Sequence, residues 1–484
     1  MTFTQPTIDL TAVSPLLALL ATAIFLLLLP LFFRSAGRAL LAFVAVIGLL
    51  ISGVCLFRIP VVPISGFDRL LLLDPLAIAV HGALLLAALL TLLISLNRVE
   101  DEYLNYGEYF SLLLFSLIGM MIVTSTWNLL VLFLGLELFS IALYTLAGIR
   151  KMRADSVEAS LKYLLLGAFA SGFLLYGMAL LYGASGTLQL NEMMLGIEAD
   201  ASTLALIYAG VILLFIGLAF KAALVPFHMW TPDVYEGSAT PVSAFMSTAT
   251  KAAAFIVLIR LLAHSELAIR FPWPQLLIVL AVLTMTVGNL LAIHQKNVKR
   301  MLAYSSISHA GYLLVGLTAA SSSGDQAVLF YLFVYTAMNI GAFGVLSHMG
   351  VSNADERVDF ESYRGMGYRS PFAALCLAVF MFSLSGLPPF SGFIGKLYLF
   401  SAAVEKGYVA LVVIAVLNSV ASVYYYMRLV VNLYMRDPAE ELSLPRANAG
   451  LKAALFIALL LTVLWGIYPS LLTDLLAGIS RPLP

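Results

Sequence analysis

The stretch GLAFKAALVPFHMWTPDVYEG, residues Gly217 to Gly237, decides how the chain is read. It places Lys221 in an apolar helix, interrupts that helix at Pro226 and follows with His228. An amine in hydrocarbon is costly, and such residues mark ion or proton pathways in membrane proteins. The surroundings of this stretch are uniformly apolar. Of the 484 residues, 62% are hydrophobic and 11% charged, and the mean hydropathy is +1.01. A soluble domain carries about 25% charged residues. Apolar runs of roughly 20 residues, the length that crosses a bilayer as a helix, recur along the chain. The fold class is therefore an all-α polytopic membrane protein of about 14 spans. Their centres are expected near 24, 47, 85, 116, 138, 172, 216, 251, 283, 310, 338, 388, 421 and 463.

The first apolar run, Pro15 to Phe33, has Asp9 before it and Arg34 and Arg38 after it, the reverse of a cleaved signal. It reads as a retained helix. Six of the 26 basic residues fall within spans: Lys162, Lys221, Lys251, Arg260, Lys396 and Arg428. With the N-terminus outside, fifteen of the others fall in inner loops and five outside, as the positive-inside rule requires. Both termini are expected on the outer face.

Five spans, the fourth to the eighth, are followed by five more, the ninth to the thirteenth. An odd number makes the second set enter from the opposite face, giving two inverted five-helix repeats. The expected boundaries are an N-terminal three-helix segment 1–104, a first repeat 105–264, an inverted repeat 265–436 and a C-terminal helix 437–484. The fourth span of each repeat has an internal proline: Pro226 in LAFKAALVPF, and Pro388 and Pro389 in SLSGLPPFSGFIGKLY. A proline releases the carbonyl four residues earlier. Those released are Ala222 in the first break and Leu384 and Ser385 in the second. Broken helices at corresponding places in inverted halves point to a transport site, although a proline kink is also common in membrane helices.

The charges inside the spans offer proton transfer. Glu137 and Lys251 each lie near the middle of a helix. Ser247 and Thr248, four and three residues before Lys251, share its face and suggest a small polar cavity. His228 is seven residues beyond Lys221, about 10 Å along a continuous helix. It suits either a proton relay or a hydrogen bond to the loop. His309, near Ser305 and Tyr312, fits a water path and a packed histidine equally well. By position Lys162, Arg260 and Arg428 read as side chains snorkelling to a surface. Cys55 and Cys376 form no CxxC pair, and no phosphate-cradling glycine motif is present, so no metal or cofactor site is expected on this chain.

The run KAALVPFHMWTPDVYEGSATPVSAFMSTATKAAAF, Lys221 to Phe255, resembles the signature of the antiporter-like subunits of proton-translocating NADH:quinone oxidoreductase, respiratory complex I. VKRMLAYSSISHAGY, Val298 to Tyr312, and SGLPPFSGFIGKLYLF, Ser385 to Phe400, are similar to two further blocks of that family. VYEGSATPV, the lysine at 396 and a chain ending after about 14 spans resemble its subunit N branch. The resemblance implies that Glu137, Lys221, Lys251 and Lys396 form a proton line. It also pairs Lys162 with Glu137 as a modulating pair and places His228 at the family's PFH position. It further implies a bacterial inner (plasma) membrane, with other membrane-arm subunits, a peripheral redox arm and lipids as partners and no nucleic acid. NADH, FMN, iron–sulfur clusters and quinone would lie on partner subunits. The alternatives are a subunit of a multisubunit sodium/proton antiporter, a ferredoxin-fed relative and, from another class, a carrier for small organic solutes.

Overall fold

The computed structural model describes residues 9–33, 37–59, 63–67, 70–96, 106–193, 201–263, 272–349, 358–438 and 447–477. The N-terminal helices are α1 (Leu10–Phe32), α2 (Arg38–Phe57) and α3 (Pro75–Ser95). Next come α4 (Gly107–Thr124), α5 (Leu129–Ala147), α6 (Ala154–Ser185), α7 (Ala201–Lys221), α8 (Trp230–Gly237) and α9 (Thr240–Ala263). They are followed by α10 (Trp273–Ile293), α11 (Val298–Thr318), α12 (Ser322–Met349), α13 (Pro371–Ser385), α14 (Ser391–Glu405) and α15 (Val409–Tyr434). The described chain closes with α16 (Ala449–Ile467) and α17 (Ser470–Leu476).

Helices dominate because hydrocarbon offers no water to satisfy a backbone left unpaired. Among the described residues, twelve helices are long and apolar enough to cross a membrane. The two remaining expected centres, near 310 and 388, fall in α11 and in the break between α13 and α14. Helix α11 is too polar for a hydropathy window because it carries Lys299, Arg300, three serines and His309. It survives in the membrane because most of its residues are buried in protein. α9 and α12 are likewise buried along their spans and pack on each other, whereas about a third or less of α6 and of α15 is buried.

The helix starts follow from local chemistry. Asn128 accepts from the Leu130 and Val131 amides at the start of α5, and Asn297 from the Lys299 and Arg300 amides at the start of α11. Both anticipated breaks are present. α7 stops at Lys221 and α8 starts at Trp230, with Pro226 between them. α13 stops at Ser385 and α14 starts at Ser391, with Pro388 and Pro389 between them. Gly386 ends α13 with φ +86°, a left-handed turn that glycine adopts without strain.

A short antiparallel hairpin, β1 (Ile64–Gly66) and β2 (Leu71–Leu73), pairs Ile64 with Leu73 between α2 and α3. It is too short to show in the sequence pattern. Leu72 N–H donates to the Ser125 carbonyl at 2.6 Å, tying the hairpin to the end of α4.

Candidate proton-transfer line

Three lysines are buried in the interior: Lys221 at 3% exposure, Lys251 at 1% and Lys396 at 4%. Among the described residues none of the three forms an ion pair, so each amine is solvated by neutral oxygens.

Lys221 is the last residue of α7. Its Nζ donates to Ser140 Oγ at 2.7 Å and to Tyr144 Oη at 3.3 Å, both on α5. The rings of Phe139, Tyr144 and Phe220 surround it at 5.4 to 5.7 Å. Glu137, Ser140 and Tyr144 are spaced three and four apart, on one face of α5. Glu137 is half-buried and accepts a 2.5 Å hydrogen bond from Ser171 Oγ of α6. Gly167 of α6 provides the room for Tyr144, because a methyl there would collide with the tyrosine hydroxyl.

Lys251 lies mid-helix in α9. Its Nζ donates to the carbonyl and, at 2.5 Å, the hydroxyl of Ser306 on α11, above the ring of Tyr335. The Ser247 and Thr248 hydroxyls bond elsewhere than to Lys251. Ser247 donates to the Ala244 carbonyl and accepts from Asn339, while Thr248 donates to the Ala244 carbonyl. Helical hydroxyls readily bond back to their own preceding turn, which leaves Lys251 to find its partner across the helix interface.

Lys396, on α14, points back at the break. Its Nζ donates to the Leu384 carbonyl at 3.0 Å, the Ser385 carbonyl at 3.1 Å and Ser419 Oγ at 2.9 Å. These are the two carbonyls that Pro388 and Pro389 were expected to release. A Cβ on Gly386 would stand 3.0 Å from Lys396 Cδ, so this glycine supplies room as well as the turn.

His309 lies between the last two lysines. Its Nδ1 is 2.6 Å from Tyr331 Oη and its Nε2 is 3.0 Å from Tyr426 Oη, which also bonds Ser305. Its ring is 5.1 Å from that of Tyr335, which faces Lys251, and 5.6 Å from that of Tyr312, which faces Lys396. The sequence left the histidine undecided because only the fold brings α12 and α15 to it.

The remaining expected residues lie elsewhere. His228 is half-buried at the surface of the first break, between exposed Pro226 and Met229, and its Nδ1 has no partner among the described residues. The structure does not bring Lys162 to Glu137. Lys162 Nζ is 2.6 Å from Asp233 Oδ2 and 2.7 Å from Glu158 Oε1. Ser171, which holds Glu137, is nine residues further along α6, roughly 13 Å away. Asp233 also accepts from Arg300 at 2.7 Å, and Arg300 from α11 reaches Glu236 at 2.6 Å. The only sequence signal for this network was acidic residues in WTPDVYEG and basic ones in VKRM.

Arg260 does not snorkel. It is 1% exposed, bonds both carboxylate oxygens of Asp74 at 2.8 and 2.9 Å, and stands 4.9 Å over Trp127. A buried carboxylate with matching geometry retains the guanidinium in place. Arg428 is half-buried, 4.1 Å over Phe360, and donates to the Gln295 carbonyl.

Residues 126–422 match the family described as NADH:quinone oxidoreductase/Mrp antiporter, TM. NADH-quinone oxidoreductase subunit N of Trichlorobacter lovleyi is 44% identical to this chain, covering 96% of each. That of Chloroflexus aggregans is 42% identical, again covering 96% of each. A chain of respiratory complex I from Thermus thermophilus, solved with bound aureothin, aligns at TM-score 0.82 and 37% identity. The alignment covers 96% of this chain and 100% of that one. Buried lysines beside two broken helices, within a chain matched almost end to end, lead to one conclusion: this chain belongs to the NADH-quinone oxidoreductase subunit N family.

Proposed function

We propose that this chain is a proton-translocating subunit in the membrane arm of an NADH:quinone oxidoreductase. One observation carries the reading: Lys221, Lys251 and Lys396 are buried without an ion pair among the described residues and are solvated only by hydroxyls and carbonyls. A buried amine with no fixed counterion gains or loses its proton when a nearby charge moves.

Quinone reduction on partner subunits changes the charge felt near Glu137, which shares an α5 face with the Ser140 and Tyr144 that hold Lys221. Lys221 then passes its proton towards Lys251 through water drawn into the line. Lys251 passes it, again through water, past His309, hydrogen-bonded to Tyr331 and Tyr426, to Lys396, from which it leaves. Lys162 acts on this line from the side through Asp233 and Arg300. Each charge moved against the membrane potential costs about 2.3 kcal/mol per 100 mV. His228, at the surface of the break, exchanges protons with water there. The redox groups (FMN, iron–sulfur clusters, NADH and quinone) belong to partner subunits. The assembly sits in a bacterial plasma membrane, with both termini of this chain outside.

The test is to tag the chain, extract native membranes in mild detergent and assay the purified material. Co-purification with NADH-dependent quinone reduction supports the reading. A pure assembly without flavin absorbance that exchanges sodium for protons would replace it with the cation/proton antiporter.

A further inference from the structure

The two arginines that the sequence placed at span ends share two kinds of contact, a backbone carbonyl at a helix end and an aromatic ring, while Arg260 alone also pairs with a carboxylate, Asp74. Arg260, on α9, donates from Nε at 3.2 Å and Nη2 at 2.9 Å to the carbonyl of Thr124, the last residue of α4. Arg428, on α15, donates from Nη1 at 3.0 Å to the carbonyl of Gln295, two residues past the end of α10. Each guanidinium lies on an aromatic ring, Trp127 in one case and Phe360 in the other.

A capping asparagine follows each acceptor within a few residues: Asn128 four after Thr124, and Asn297 two after Gln295. Each asparagine forms a bridge to the segment beyond the next helix but one, Asn128 with Gln189 and Asn297 with Asp359. The fifth span of each half therefore clamps the end of the first. Five crossings separate α4 from α10, so the two clamps lie on opposite faces of the membrane.

What lies behind each clamp differs. Between Lys251 and Arg260, α9 runs AAAFIVLI, Ala252 to Ile259, all buried and without a group that could carry a proton. Before Arg428, α15 carries Ser422, Tyr425 and Tyr426. Tyr425 donates to Asn289 Oδ1, and Tyr426 bonds His309 and Ser305. The hydrogen-bonded network around His309 thus reaches within one turn of Arg428. Gln295 and Phe360, on the inner side, touch the guanidinium itself.

Resting on the function proposed above, we infer that Arg260 and Arg428 seal the blind ends of the two halves. Arg260 closes the first half towards the outer face, and Arg428 closes the second half towards the inner face. A proton taken up by the first half can then leave only through the second. Arg428, with no carboxylate paired to it among the described residues, repels a hydrated proton, while Arg260, neutralised by Asp74, acts by holding together the helices that would have to part to let water through. On α9 the first half has a further stretch of eight apolar residues between its lysine and its arginine. The second has its arginine alone, so loss of Arg428 opens the greater leak.

The test uses the complete assembly in liposomes containing a pH-sensitive dye, with a potassium diffusion potential imposed and no NADH present. Arg428→Gln is expected to raise passive proton flux by about tenfold, equivalent to about 1.4 kcal/mol on the barrier. Arg428→Lys, which keeps the charge, is expected to stay near the parent. Arg260→Met combined with Asp74→Asn, which removes both buried charges together, is expected to leak less than Arg428→Gln. Assembled Arg428→Gln as tight as the parent overturns the inference, as does Arg428→Lys leaking equally. Should the double variant fail to assemble, the Arg428 pair decides alone. A parent assembly that builds no gradient on NADH counts against the proposed function, whereas this leak is read without electron transfer.

Discussion

The two broken helices hold their lysines by different means. In the first, Lys221 precedes the break and is held by side chains of a neighbouring helix, Ser140 and Tyr144, on the face that also carries Glu137. In the second, Lys396 follows the break and is held by the backbone the break itself exposes, Leu384 and Ser385, with Ser419 beside it. Side-chain oxygens on a face shared with a carboxylate can follow a change in charge. Carbonyls fixed by a turn cannot move as freely. On this account the first site responds to the redox event and the second is a steady terminal that receives and releases.

That contrast can be broken or sharpened by substitution. The largest effect is expected from Arg260→Ala, which strands Asp74 in the interior and costs about 3–5 kcal/mol. Native gels should show loss of the assembly, while Arg428→Ala, with no carboxylate paired to it among the described residues, assembles. Ser140→Ala removes the closer of two partners of Lys221, worth about 1.5–3 kcal/mol to the charged amine. Protons pumped per electron should fall while NADH oxidation persists. Gly386→Ala puts a side chain into a left-handed turn, about 1–2 kcal/mol, and crowds Lys396. It is expected to lower the thermal midpoint of the purified assembly. Ser419→Ala leaves both carbonyls on Lys396 to take up the amine's charge and should cost less, about 0.5–1.5 kcal/mol. Equal losses of pumping in Ser140→Ala and Ser419→Ala would erase the distinction between the halves.

Much of this was legible in the chain. Apolar run length gave the spans, and prolines gave both breaks, down to the carbonyls of Leu384 and Ser385 that Lys396 now holds. Burial of Lys221, Lys251 and Lys396 followed from their place in apolar runs. What the sequence hid depends on contacts between distant segments. Arg260 and Asp74 are 186 residues apart, and Asp74 lies just past a hairpin with no periodic signal. Position alone made Arg260 a surface residue. Lys162 meets Asp233 from 71 residues away, and the resemblance drew attention to Glu137 instead. Ser247 and Thr248 share a face with Lys251, yet face-sharing does not reveal that a hydroxyl prefers its own helix backbone. The role of His309 needed Tyr331 and Tyr426, which only the packing of α12 and α15 supplies.

The central claim is that protons cross the membrane along the lysines of this chain. The most direct test is the number of protons translocated per electron by the purified, reconstituted assembly carrying Lys221→Ala, measured together with its NADH:quinone rate. A lower proton-to-electron ratio is expected in an assembly that still contains every partner and still transfers electrons. An unchanged ratio in such an assembly would contradict it.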